Sequence, residues 1–171
     1  MNSRLLFLLF LLPMSAAEAY ESAFPKTEPG ILEIKTLPAG TLLKAEGEDS
    51  YFESSGKLFQ PLFRYIKEQD IAMTVPVEAR IEPGAMYFWV GPEQLDRVAG
   101  DTATVQVVRL PERRVAAIGV RGAYSESNFN TARGELLGWL ESQPGYAPAG
   151  QPWAVYWNGP FTLCFLKQFE V

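Results

Sequence analysis

The 171-residue chain contains no histidine and a single cysteine, Cys164. Without imidazole there is no Ser-His-Asp or Cys-His nucleophile and no zinc site of the His-Glu-x-x-His kind. One cysteine allows no intrachain disulfide, so stability must come from the core. Cys164 itself reads as a small buried hydrophobe. Basic runs are missing too: 15 Lys and Arg stand against 20 Asp and Glu, a net charge of −5. Phosphate contacts need clustered cations, so no nucleic-acid partner is expected. The chain has no Gly-x-Gly-x-x-Gly, no phosphate or calcium loop and no Gly-x-Ser-x-Gly elbow. Carboxylates such as Glu46, Glu53, Glu78 and Glu126 are present, but their spacing singles out no acid/base pair.

What is present is enough apolar material, 47% of residues, for one ordinary core in one globular domain. Residues 1–19 read as a signal peptide. Arg4 gives a positive start, residues 5–12 form an apolar run too short to span a bilayer, and Ala17-Glu18-Ala19 has the small-x-small form of a cleavage site. The expected mature chain starts at Tyr20, is secreted or periplasmic and keeps no stable membrane anchor; an uncleaved anchor is the alternative. Residues 20–29, polar and proline-bearing, read as a flexible mature N-terminus.

Strands are expected over 31–37 and 42–47, then a helix over about 57–68. Gly56 and Pro61 argue for that late start, although Ser50 and Glu53 have capping-box spacing. Phe59, Leu62, Phe63 and Ile66 would form the helix's apolar stripe. Residues 71–81 alternate Met73, Val75, Val77, Ala79 and Ile81 with Thr74, Pro76, Glu78 and Arg80, the period of a half-buried strand. Pro76 cannot donate to a ladder and belongs at a strand start, an edge or a bulge. A turn at Glu82-Pro83-Gly84-Ala85 makes a hairpin with 86–90, and residues 92–97 suggest a short helical turn. Further strands are expected over 103–110, 115–121, 153–157 and 161–171. Between them a second helix would use Phe129, Ala132, Leu136 and Leu140 as its apolar face.

The second half echoes the first at an offset of about 73 residues, read from the pairs that follow. Leu110-Pro111 falls on Leu37-Pro38, Tyr124 on Tyr51, Glu126 on Glu53 and Ser127 on Ser54. Two tandem βαββ-like repeats, approximately 30–91 and 102–171, therefore predict an α+β fold: a distorted eight-stranded antiparallel β-barrel with two helices.

The run Ile71-Ala72-Met73-Thr74-Val75-Pro76-Val77 resembles the signature strand of the SOUL haem-binding family. The closing segment, from Trp153-Ala154-Val155-Tyr156-Trp157-Asn158-Gly159-Pro160 to Glu170-Val171, resembles that family's tail. The likeness covers residues 30–171 and implies the same barrel with two long helices. It also implies a small-molecule tetrapyrrole, haem or a relative, as cofactor and partner, in transport, buffering or sensing. A flat ring needs an apolar slot and a cationic or hydroxyl rim for its acids. Met73, Met86, Phe88, Trp153, Tyr156 and Trp157 are the candidates for the slot. Arg121, with Tyr124 beside it, is a rim candidate, as are Arg80 and Lys167. No histidine can ligate iron here, so Met73, Met86, Tyr156 or Cys164 would have to. Two alternatives stay open: a binding module for another apolar or amphipathic molecule, and a hydrolase using Glu with Tyr.

Overall fold

The computed structural model describes residues 22–159 and 162–171. The expected signal peptide, Tyr20 and the Pro160-Phe161 pair lie outside the described residues. Eight strands form one sheet: β1 (Leu32–Leu37), β2 (Gly40–Glu46), β3 (Val77–Arg80), β4 (Ala85–Trp89), β5 (Gln106–Leu110), β6 (Arg113–Arg121), β7 (Ala154–Tyr156) and β8 (Gln168–Glu170). Helix α1 (Tyr51–Glu68) joins β2 to β3, and α2 (Glu126–Glu141) joins β6 to β7. The spatial order is β1-β6-β8-β7-β3-β4-β2-β5, and its ladders are antiparallel. The architecture is thus α+β, an eight-stranded antiparallel sheet curled into a half-barrel. The order reads the same from either end once β1 to β4 are exchanged for β5 to β8.

Strand alternation sends side chains to two apolar clusters, one on each face. Leu43, Phe88, Val77, Tyr156, Phe169 and Val120 lie side by side across six strands. They pack with Leu58, Leu62, Ile66, Phe129, Ala132 and Leu136 of the helices. On the other face Tyr87, Glu78, Val155 and Glu170 share a row. There Leu42, Trp89 and Val155 form a second cluster with Phe24 and Leu37.

Several expectations are corrected. Helix α1 begins at Tyr51, six residues before the expected 57, and contains both Gly56 and Pro61. Tertiary contacts hold that entrance: the Tyr51 N–H donates to the Ile81 carbonyl at 2.9 Å, and the Gly84 N–H donates to the Asp49 carbonyl at 2.9 Å. The Ser50 side chain makes no cap bond. The buried stripe runs Tyr51, Ser54, Leu58, Leu62, Tyr65, Ile66, leaving Phe63 exposed and stacked on Phe59. Of the strand expected over 161–171, the described residues 162–171 are not one strand: a 3-10 turn, Cys164–Leu166, precedes the three residues of β8. Leu163, Phe165 and Leu166 are exposed there, and so is Cys164, contrary to its expected burial. Glu78, expected on a mixed outer face, is buried.

The fit is tight where the N-terminal segment crosses β6. A Cβ on Gly119 would meet the carbonyl oxygens of Glu28 at 2.3 Å and Thr27 at 2.5 Å. Both are backbone atoms and must move. Gly119→Ala is therefore expected to lower the unfolding free energy by about 1–3 kcal/mol in chemical denaturation. Gly134, mid-α2 and with nothing within 4 Å of its Cβ position, should behave oppositely: Gly134→Ala raises stability by about 1 kcal/mol.

Candidate functional site

After Ser142 caps α2, the residues Pro144, Gly145 (φ +82°), Pro148, Gly150 and Pro152 allow neither helix nor ladder. This stretch runs back toward β7 and does not pack flush. A hollow of about 400 Å³ remains between it, the end of α2 and strands β1 and β6. Leu37, Val115, Leu136, Leu140, Val155 and Val171 make its walls largely apolar. Such a volume is in the range of small-molecule sites.

Two buried carboxylates hold cations that line the hollow, and one of the two lines it itself. Glu170 lines it directly. Its Oε1 accepts from the Thr27 N–H at 2.7 Å and the Trp157 indole N–H at 2.8 Å, and its Oε2 accepts from Lys35 Nζ at 2.5 Å. Glu78, two strands away across Val155 of β7, accepts from the Trp89 indole at 3.0 Å and from Arg113 Nη2 at 3.0 Å. Arg113 then lies across Trp153, its guanidinium carbon 5.6 Å from the ring centroid. Both ion pairs are desolvated, so their worth is geometric more than energetic. Arg114 also lines the hollow and is exposed.

Of the residues singled out from sequence, Trp153 lines this hollow. Met86, Phe88 and Tyr156 are buried on the helix-covered face, where Met73 and Tyr124 pack against the same cluster. Tyr124 meets Tyr156 at 4.3 Å between centroids, and Tyr51 stacks on Tyr156 at 5.7 Å. Arg121 is exposed at the end of β6. The other rim candidates have partners: Arg80 bonds Glu46, and Lys167 sits 4.8 Å above the Tyr124 ring. Tyr124 accepts from the Asn158 N–H at 2.9 Å and donates to the Gln168 carbonyl at 2.9 Å. Burial pushes its phenol up to about 12 and raises those of Tyr51 and Tyr156 further. These three hydroxyls stay protonated at neutral pH.

Sequence reasoning missed Lys35, Arg113, Arg114, Tyr146 and Glu170. The signal available was the Pro- and Gly-rich stretch after α2 and a glutamate flanked by Phe169 and Val171 in an apolar strand. Among the described residues no group of three or more Cys, Asp or Glu could hold a metal ion.

The fold recurs in solved structures. The C-terminal domain of EcmrR superposes with a TM-score of 0.64 at 15% identity, over 82% of this chain and 93% of that one. In an EcmrR–DNA complex the TM-score is 0.65 at 14% identity, and the match spans 55% of the longer EcmrR chain. A structure described as a hydrolase from Listeria innocua gives a TM-score of 0.55 at 13% identity, over 84% of this chain and 91% of that one. At these identities the likeness is one of fold. Comparison with curated proteins gives no match. The SOUL heme-binding protein model matches residues 19–171, and the chain belongs to that family.

The tyrosine group makes a pH prediction. Tyr124 has an ordinary phenol value of 10.0 when unfolded and about 12 when folded, so the native state holds the proton more tightly. Stability from this group is intact below pH 10 and falls as pH rises through 12. In an alkaline spectrophotometric titration, three of the seven tyrosines should ionise only as the protein unfolds. Tyr124→Phe should leave two.

Proposed function

We propose that the protein holds a haem or related tetrapyrrole in the hollow between α2, β1, β6 and the 146–153 stretch, without a histidine ligand. The observation that carries this is the joining of largely apolar walls to a cationic edge in one cavity of about 400 Å³. Family membership adds a tetrapyrrole as the natural occupant. Trp153, Pro148 and Pro152 would flank the ring, and Arg114 would face its acidic groups. Tyr146 is the only Tyr, Met or Cys among the lining residues, so its phenol is the side chain that would reach iron. A bound haem would supply visible absorption and a redox-active iron.

We further take residues 1–19 as an export signal, which makes the mature chain a secreted or periplasmic carrier or buffer. The expected βαββ unit is corrected to ββαββ, since two strands precede each helix and two follow it; that the two halves are a duplication is supported by the 73-residue offset and the end-to-end symmetry of the strand order. The hydrolase reading has less support: the described contacts of the tyrosine group include no carboxylate, and its phenols are held protonated.

Haemin titration of the mature chain tests the site. A saturable Soret change is expected. Trp153→Ala and the cavity-filling Ala116→Trp should each weaken binding about tenfold or more, roughly 1.4 kcal/mol, with native folding checked by circular dichroism. Met73→Ala and Arg121→Ala, outside the hollow, should leave it unchanged. The opposite pattern would move the ring to the helix-covered face, and no saturable change would remove haem.

A further inference from the structure

Strand β6 is bonded on both sides for only part of its length. Toward β8 its bonding residues are even-numbered: Ile118 and Val171 exchange both backbone bonds, at 3.0 and 3.2 Å, and the Gly122 N–H donates to the Lys167 carbonyl at 2.9 Å. Toward β1 they are odd-numbered, with the Gly119 N–H donating to the Ile31 carbonyl at 3.0 Å. Alternation along an antiparallel strand then turns the N–H and C=O of Ala116 and Arg114 to the β8 side. Strand β8 ends at Glu170, and past Val171 no strand lies beside β6 on that side among the described residues. Neither Ala116 nor Arg114 forms a main-chain bond there among the described residues. The hollow occupies this place: Ala116, Arg114, Val171 and Trp153 all line it. Ala116 is half-buried and Arg114 exposed, whereas Ala117 and Ile118, beside the end of β8, are buried.

The surroundings of the gap define what fits it. Two residues with unbonded N–H and C=O groups, about 7 Å apart along one edge, match residues i and i+2 of another extended chain. Leu136 and Leu140 of α2 stand on one side of the gap, and Leu37 and Val115, of the second apolar cluster, on the other. A strand placed there is buried on both faces and has to be apolar at successive positions. Charge sets its direction. Lys35 and Arg113 are matched by Glu170 and Glu78, which leaves Arg114, exposed and without an ion pair among the described residues. In a segment running antiparallel to β6, as β1 and β8 do, the last residue falls opposite Arg114, where a free carboxylate meets a guanidinium.

We propose that the hollow receives the C-terminal end of another polypeptide: an extended, apolar three-residue segment that adds to β6 at Ala116 and Arg114 and turns its terminal carboxylate to the Arg114 side chain. Such a segment would compete with a tetrapyrrole for the cavity.

Acetyl-Leu-Val-Leu with a free carboxylate is the probe, added to the mature chain and followed through the backbone N–H resonances of isotopically labelled protein. Saturable binding is expected, with the Ala116 and Arg114 signals moving downfield. In the antiparallel register the first leucine bonds Ala116 and the second bonds Arg114, while the valine N–H points away from β6. N-methylation of the first leucine should therefore weaken binding about tenfold, the loss of one hydrogen bond, and N-methylation of the valine should change it by less than about twofold. The C-terminal amide should bind about threefold more weakly than the acid, as befits an exposed ion pair. In Arg114→Ala, with native folding checked by circular dichroism, acid and amide should bind alike. No saturable binding, equal losses from the two N-methylations, stationary Ala116 and Arg114 signals, or an acid preference that survives Arg114→Ala would each overturn the proposal. Haemin binding without peptide binding would remove this inference alone. Peptide binding without haemin binding would remove the tetrapyrrole reading alone.

Discussion

The buried carboxylate of Glu170 is the constraint on which the rest of this side of the molecule depends. It is 2% exposed, and a charge so placed persists only when its oxygens are filled by donors. Those donors come from three places: the Thr27 backbone in the N-terminal segment, Lys35 on β1 and the Trp157 indole just beyond β7. Satisfying one carboxylate therefore ties the N-terminal segment to β1, β7 and β8 at once. Gly119 completes the arrangement, because only its missing Cβ lets the Thr27 and Glu28 carbonyls lie against β6. The net energy of such a desolvated pair is modest. What it secures is position.

The same logic explains why a cavity survives beside a well-packed core. The helix-covered face closes because α1 and α2 both present continuous apolar stripes to an apolar row of strand residues. Near the end of α2 that supply stops. The residues that follow are mostly prolines, glycines and alanines, which span distance without filling volume, with Tyr146 the one large side chain among them. Trp153 and Arg113 occupy part of the space, and the remainder is the hollow. Stiff segments and small side chains thus define a site by failing to collapse into it.

Much of the fold was legible because it rests on local pattern. The α2 face Phe129, Ala132, Leu136 and Leu140 is buried as its spacing requires, the 82–85 turn joins paired strands, and residues 92–97 form a short 3-10 helix. The errors arose where tertiary contact overrode local preference. Gly56 and Pro61 argued for a short α1, but backbone bonds from the Tyr51 and Gly84 amides hold its first turn in place. Alternation over 161–171 suggested a long strand, yet β8 pairs only where β6 and β7 offer partners, at Gln168–Glu170. The site was less legible still. Trp153 was named, but Glu170, Lys35 and Arg113 are distant in sequence and meet only across the sheet.

By itself, the sequence determined the class of architecture, because periodicity and turn chemistry are properties of short windows, although the strand expected over 71–81 is confined to Val77–Arg80, with only an isolated bridge at Val75 before it. It also determined the chemistry that is missing, since a chain without histidine cannot acquire an imidazole by folding. Tertiary structure alone decided which face each aromatic serves, that Glu78 and Glu170 are buried with matched cations, and that a hollow forms after α2. Those outcomes depend on strand order and register, which bring residues more than a hundred positions apart, such as Lys35 and Glu170, within bonding distance. No window of sequence contains that information.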